Sequence, residues 1–405
     1  MKKFFALSLA LLMVLGCASV LSSCGKEACN TVKDDTIVIG VYEPASGDNA
    51  AGGKKETLGV KYANSVKPTV EIGGKTYKVE LAFADNGSDN SKAVSAASQL
   101  IAKNAIVCVG SYGSGVSIAA SKTFKDAGVP AVGITCTNPE VTAGNDHYFR
   151  ICFLDPFQGT VLATYAKNTL GAKKAYVLAK QGSDYDLGLA NYFCQGFGLN
   201  AQNDIHTFPD GTADFSSYIT AAKEAVADVI FAPVSVNFAQ LIVDKANDLG
   251  FEGVLLAGDT WDDNMIVDAA KENPNVNVNI TTFYQEGANE AFDEGFRGWL
   301  ESNATALADN GGNTMISAVS VMGYDSYMTV LSALETIKVE EGKSITSLDV
   351  KAALANMNTE AKAYEGVTGK IYFDATGDAV RNTAFIKKIN TASGTWDFVA
   401  EQKAN

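Results

Sequence analysis

The sequence predicts an α/β protein built as two doubly wound lobes, and three observations carry that reading. Short β-branched runs alternate with amphipathic stretches from residue 36 onward. Strands alternating with helices of this length indicate an open parallel sheet. The strand runs are apolar almost throughout, as strands covered by helices on both faces must be. Nine or more such units in a chain of 405 residues exceed what one sheet and one core comfortably hold, so the units divide between two lobes.

In chain order, strands are expected at 36–42 (TIVIGVY), 77–84, 105–110 (AIVCVG), 129–134, 148–154, 175–179, 228–232, 253–257 and 279–284. Helices are expected at 51–66, 90–103, 114–127, 156–170, 184–199, 214–226, 235–250 and 262–272. In 90–103, Ala93, Val94, Ala97, Leu100 and Ile101 recur at spacings of three and four, which puts them on one helical face. After 284 the alternation stops. A long helical stretch at 314–341 and strands at 369–374 and 383–390 follow, as expected of a chain that crosses back between lobes. The polar, turn-rich segment 356–365 is the expected place for that crossing.

Composition excludes several classes. Hydrophobic residues make up 47% and charged residues 19%, which supports packed cores rather than disorder. The formal net charge of −14 repels phosphates, so no nucleic-acid partner is expected. Arg150, Arg297 and Arg381 are the only arginines, so planar forks for gripping anions are scarce. His147 and His206 are the only histidines, which excludes a multi-histidine metal site. Patterns for nucleophile elbows, phosphate loops, dinucleotide-binding turns and zinc proteases do not occur, and no cofactor is called for.

Residues 1–23 read as an export signal: Lys2 and Lys3, then an apolar run from Phe4 to Leu15 that is too short to span a bilayer. Leu21-Ser22-Ser23-Cys24 looks like a lipobox, in which Cys24 takes diacylglycerol and becomes the new N-terminus. Val14-Leu15-Gly16-Cys17 is a second match that would cut into the apolar run, and an ordinary signal peptide with a chance cysteine is the plainer reading. Residues 24–35 then form a polar tether. Cys108, Cys136, Cys152 and Cys194 lack metal-ligand spacing, and Cys108 and Cys152 sit in strand runs as buried thiols.

Ligands of open parallel sheets bind beyond the carboxyl ends of the strands, against helix N-termini. The turn after 105–110, Gly110-Ser111-Tyr112-Gly113-Ser114-Gly115, brings backbone close to a ligand, with Ser114 placed to cap the next helix. A plain capped turn has the same composition. The turn after 129–134 offers Thr135, Cys136 and Thr137. The turn after 253–257 carries Asp259 at the strand tip, facing a cation, and Asp262 and Asp263, which read as a helix cap or as solvated acids. Tyr185, in the loop 180–188, is placed as a lid.

Taken in order, several segments together resemble the lipid-anchored amino-acid-binding proteins of branched-chain amino-acid ABC transporters. They are IVIGVYEPASGDNAAGGKKETLGVKYA, GSYGSG, GVPAVGITCTNPEVT, YFRICFLDPFQG, AYVLAKQGSDYDLGLA, LLAGDTWDD, MGYDSYMTVLSAL and YEGVTGKIYFDATGDAVRNTAFIKKI. The resemblance implies two Rossmann-like lobes joined by three crossovers, with 36–152 and 285–365 in the first lobe and 153–284 and 366–405 in the second. It implies capture of an amino acid, branched-chain or another small neutral one, by lobe closure. Delivery then goes to ABC permease subunits, from a monomer anchored at the outer face of the cytoplasmic membrane or in the periplasm.

Position by position, the resemblance makes Ser114 a partner of the ligand α-carboxylate. Thr135 and Thr137 become partners of its ammonium and carboxylate, Asp259 its ammonium partner, and Tyr185 an aromatic cover. Tyr112 and Cys136 lie in the same turns and join the expected site. Two family aromatics are missing: one position falls near Gly52, the other near Val234 or Ser235. A ligand-binding sensor of the same fold, for an amide, urea or peptide-like solute, is the alternative. A lipid-anchored hydrolase would need His147 or His206 beside a nucleophile.

Overall fold

A computed structural model describes residues 29–403. β1 (Thr36–Glu43) shows how the sequence builds the first lobe. Successive side chains of a strand point to opposite faces. Ile37, Ile39 and Val41 pack with Leu58, Val60 and Ala63 of α1 (Ala50–Val66), while Tyr42 packs with Ala93, Ala97 and Leu100 of α2 (Asn90–Ala102). One strand thus belongs to two core layers, which is why it is apolar on both faces.

β2 (Thr69–Ile72) and β3 (Lys75–Asp85) form an antiparallel hairpin at one edge. β4 (Val107–Val109), α3 (Ser114–Asp126), β5 (Ala131–Gly133) and β6 (Tyr148–Arg150) complete the lobe, whose sheet order is β2-β3-β1-β4-β5-β6. All its strands but β2 run parallel.

The chain then crosses through 151–154 into the second lobe. There α4 (Asp155–Thr164), β7 (Ala175–Lys180), α5 (Asp184–Phe197), α6 (Ala201–Asp204), β8 (Ile205–Phe208), α7 (Ser216–Glu224), β9 (Val229–Phe231), α8 (Val236–Asp248), β10 (Val254–Ala257), α9 (Asn264–Glu272) and β11 (Asn277–Thr282) follow. Here too alternate residues divide: Leu255 and Ala257 face one core, and Leu256 the other. A second crossing leads to α10 (Glu290–Glu301), α11 (Ala304–Asp309), α12 (Ala318–Glu335), α13 (Ser347–Asn356) and the hairpin β12 (Tyr364–Gly366) and β13 (Gly369–Ile371). β14 (Thr383–Asn390) and β15 (Thr395–Lys403) close the second sheet antiparallel, in the order β15-β14-β11-β10-β9-β7-β8. The expected two-lobe α/β fold with mostly parallel sheets is what forms.

Several expectations are corrected. The return crossing does not lie at 356–365. Residues 364–371 form the small hairpin, and 377–379 bond to Arg150 on the edge of the first sheet, so the chain leaves that lobe only at 380–382. The expected helix at 314–341 is the shorter α12, begun at Ser317. β2, β8, β12 and β15 and helices α6, α10, α11 and α13 form where the sequence predicts no element: the strands are short or half-exposed edges, α6 is a single turn, and Gly295 and Gly298 interrupt the helical pattern of α10.

The crossings are braced against one another. Phe153 and Phe283 stack with centroids 4.2 Å apart. The Arg381 guanidinium donates to the Ile151 carbonyl, and at 2.8 Å to both the carbonyl and the hydroxyl of Thr368. The five described cysteines are unpaired thiols, and Cys108 and Cys152 are buried as read. Cys17 and Cys24 lie outside the described residues.

Candidate functional site

A cleft of about 510 Å³ lies between the lobes at the carboxyl ends of both sheets. From the first lobe it is lined by Asn49, Ser88, Asn90, Tyr112, Gly113, Ser114 and Thr135, among others; from the second by Lys180, Tyr185, Ser235 and Thr260. The strand order dictates this place, since strand tips and helix starts meet here.

On the first lobe the cleft wall is the start of α3. The residue flanking this helix is Gly113, which offers no side-chain cap, and Ser114 occupies the first helical position. Ser114 is therefore not the cap expected from sequence. Its hydroxyl is buried and accepts from the Asn138 N–H at 3.3 Å. Uncapped N–H groups at a helix start favour an anion.

On the second lobe Asp259 opens a short turn, with 1% of its surface exposed. Gln158 Nε2 at 2.8 Å and the Tyr185 hydroxyl at 2.9 Å both donate to its Oδ1. Burial pushes the carboxyl up to about 6, against the pull of those two donors. Gly258 makes the approach possible, because a Cβ there would stand 2.6 Å from the Tyr185 hydroxyl oxygen.

Three further buried acids surround the cleft, and sequence reading missed them. Glu43 accepts from the Tyr112 N–H at 2.8 Å, and Glu56 accepts from the Thr135 hydroxyl. Burial raises both carboxyls: Glu43 stands well above the ordinary range, raised further by Glu56 beside it, and Glu56 is pushed up to about 8 against the pull of its hydrogen bonds with Glu43 and Thr135. Asp155 starts α4, and burial pushes it up to about 8. Glu56 sits inside a helix whose pattern reads as amphipathic, so nothing in the linear sequence marks it as buried.

The lobes touch across the cleft. Lys55 Nζ lies 2.5 Å from Asp263 Oδ2, and both side chains are 3% exposed. Lys180 pairs with Asp48, and Asn138 donates to the Asp184 carbonyl at 2.8 Å. Asp263 also caps α9, accepting from the Met265 N–H at 2.8 Å. Asp262 pairs with Lys387 of β14 at 3.0 Å, with both side chains buried. These two acids are thus buried ion-pair partners rather than solvated charges. The hydrophobic run before them gave no sign of lysines arriving from residues 55 and 387.

The periplasmic binding protein family pattern matches residues 36–394. The chain belongs to the periplasmic binding protein family. Among its relatives, the Leu/Ile/Val-binding protein homolog 3 of Brucella melitensis is 28% identical over 350 residues, covering 84% of this chain and 88% of the relative. A leucine binding protein from Thermotoga maritima superposes with a TM-score of 0.77 at 28% identity, covering 91% of this chain and 99% of that one. The branched-chain amino acid transporter substrate binding protein of Streptococcus pneumoniae, solved with isoleucine, gives 0.76 at 27% identity, with 91% and 99% covered. Membership makes this a binding protein and not an enzyme. His147 lies 3.0 Å from Asp146 and His206 stacks on Tyr176 at 4.1 Å, and neither lines the cleft.

Within this periplasmic binding protein, Tyr112, Ser114, Thr135 and Tyr185 come together on the cleft wall. Asp259 stands just behind it, held by Tyr185. Thr137 is buried off the wall, its carbonyl accepting from the Asp155 N–H at 3.0 Å. Cys136 is corrected: its side chain packs into the core with Tyr42, Cys108, Phe124 and Tyr148, and only its carbonyl is engaged, by Arg150 at 2.9 Å. Tyr112 explains the missing aromatic at Gly52. A Cβ on Gly52 would stand 2.3 Å from the Tyr112 ring, so the ring occupies the space a side chain there would need.

Proposed function

We propose that this protein captures a neutral amino acid between its lobes and delivers it to the permease of an ABC transporter. The observation that carries the reading is the opposition of charge preference across one cleft. The uncapped start of α3 with Ser114 favours a carboxylate on the first lobe, and Asp259 favours an ammonium from the second. An amino-acid zwitterion satisfies both at once, and either lobe alone leaves one charge unpaired. Closure is then driven by the ligand's differential affinity for the closed form.

In this reading Ser114 and the α3 N–H groups hold the α-carboxylate. The Thr135 carbonyl assists, Asp259 takes the ammonium, and Tyr185 and Tyr112 enclose the side chain. The binding specificities in the names of the Brucella and Thermotoga relatives, and the isoleucine complex, support an amino acid. We further propose that the protein acts as a monomer tethered through lipid on Cys24. Among the described residues no helix is long and apolar enough to cross a membrane.

The test is calorimetry and thermal shift of the soluble body against the twenty amino acids and small amides. A ligand that binds only the folded form raises the melting midpoint by mass action. Saturable binding of at least one amino acid, lost for its deaminated analogue, is expected. Binding of amides or urea with none of the amino acids would reject the reading.

A further inference from the structure

Building on the amino-acid reading, we propose that the ligand's side chain carries an acyl oxygen, of a carboxamide or a carboxylate, held by Ser235 and the N-terminus of α8. The starting point is a polar atom without a partner. Ser235 lines the cleft, is 8% exposed, and its hydroxyl oxygen is buried with no hydrogen bond in the protein. Burying a hydroxyl unpaired is costly, and such orphans in a native fold call for an explanation.

The backbone around it points the same way. Ser235 flanks α8 at the capping position yet makes no side-chain cap. Among the described residues, the N–H groups of Val236, Asn237 and Phe238 donate to no acceptor. The turn is rigidly placed, because the carbonyl of the preceding Val234 accepts from the Thr260 hydroxyl at 3.0 Å and from the Trp261 indole at 3.1 Å. These bonds lock Ser235 to the turn that carries Asp259. A zwitterion whose ammonium reaches Asp259 therefore extends its side chain beside Ser235.

An aliphatic side chain would leave the Ser235 hydroxyl and the α8 N–H groups buried against hydrocarbon. An acyl oxygen accepts from them and gains from the positive end of the helix. The surrounding charge separates the two acyl sources. Asp48, Asp89, Asp184, Asp186 and Asp210 line the cleft against one cation, Lys180, which already pairs with Asp48 and Asp210. A second carboxylate on the ligand meets repulsion there, whereas a carboxamide offers an N–H₂ group to those acids. Glutamine or asparagine is thus expected ahead of glutamate or aspartate.

The experiment compares glutamine, asparagine, glutamate, aspartate, leucine, isoleucine and valine by calorimetry on the wild type, Ser235→Ala and Ser235→Thr. Ser235 makes no cap bond, so Ala removes none of the fold's own hydrogen bonds. The expected result is binding of the carboxamide pair at least about tenfold tighter than the aliphatic trio. Ser235→Ala should weaken the carboxamide ligands by about three- to tenfold, the loss expected for one hydrogen bond, and leave leucine unchanged. Ser235→Thr, which keeps the hydroxyl, should restore the difference. Glutamate ahead of glutamine, with the same sensitivity to Ser235→Ala, identifies the acyl oxygen as a carboxylate's. Leucine, isoleucine or valine binding tightest, with Ser235→Ala indifferent, overturns this inference and leaves the amino-acid reading standing. No amino acid binding at all overturns both.

Discussion

Lys55 on α1 of the first lobe and Asp263 at the start of α9 of the second form an ion pair at 2.5 Å, with both side chains sealed from solvent. Lys55 also donates to Asn264 at 2.5 Å. The pair exists only when the lobes meet. Opening exposes both charges to water, so breaking the pair by separation is mild, whereas removing one partner leaves the other buried and unpaired in the closed form alone.

Lys55→Met is therefore expected to act on closure rather than on the fold of either lobe. The penalty for an uncompensated buried charge is about 3–5 kcal/mol, which weakens ligand binding on the order of a hundredfold or more. Small-angle scattering with saturating ligand should show a larger radius of gyration than the wild type. Wild-type affinity in Lys55→Met would mean the pair does not govern closure.

Asp259→Asn keeps the shape and removes the charge. If Asp259 meets the ligand ammonium, the loss is again about 3–5 kcal/mol of binding. Exposed Asp268 on α9 serves as the control, and Asp268→Asn should change affinity less than about threefold. Asp262 is unsuitable for that purpose because it is a buried partner of Lys387. Calorimetry giving equal affinities for Asp259→Asn and the wild type would move the ammonium site elsewhere.

The same carboxyl sets a pH dependence. Free Asp259 protonates at about 6, and an ammonium partner holds it ionised, lowering its pKa in the complex. Affinity is then fully present above about pH 6. It falls below that value, approaching about tenfold per pH unit as proton and ligand compete. Titrations at pH 4.5, 6 and 7.5 check this, and an affinity flat across the range contradicts it.

Stability runs with the opposite sign of pH. The Asp155 carboxyl is raised from 3.8 to about 8, so the folded state holds a proton that the unfolded chain releases. That contribution is complete below the unfolded value and is lost as pH rises through about 8. It amounts to at most about 6 kcal/mol. The unliganded melting midpoint should fall between pH 5 and 9, and Asp155→Asn, which stays neutral, should flatten the slope. A parallel slope in the variant would show that Asp155 is ionised in the folded protein.

Gly52 and Tyr112 should behave as one unit. Gly52→Ala forces a methyl into the Tyr112 ring, and overpacking of this kind costs about 1–3 kcal/mol. In Gly52→Ala with Tyr112→Ala the clash is gone, so chemical denaturation should show strong non-additivity. Additive losses would mean the backbone yields instead of the ring.

Mass spectrometry of membrane-extracted protein should find diacylglycerol on Cys24 with residues 1–23 removed. Any other mature N-terminus rejects the anchor.

Some of this protein was decided by sequence alone. The alternation of apolar strands with amphipathic helices is local, because periods of two and 3.6 are written in neighbouring residues. That was enough for two α/β lobes, and the strand-to-helix turns that carry Tyr112, Ser114, Thr135 and Tyr185 followed from the rule that ligands gather at strand tips. Tertiary structure alone decided what meets across distance. Lys55 with Asp263, Lys387 with Asp262, and Tyr112 over Gly52 join residues 60 to more than 200 positions apart, and no periodicity encodes such pairs. It also decided which acids are buried. Glu56 and Asp268 are both acids on amphipathic helices, yet the first is sealed beneath the cleft and the second is exposed. The reason is physical: a carboxyl's protonation depends on the solvent and charges around it, and these are set only when the two lobes have folded and come together.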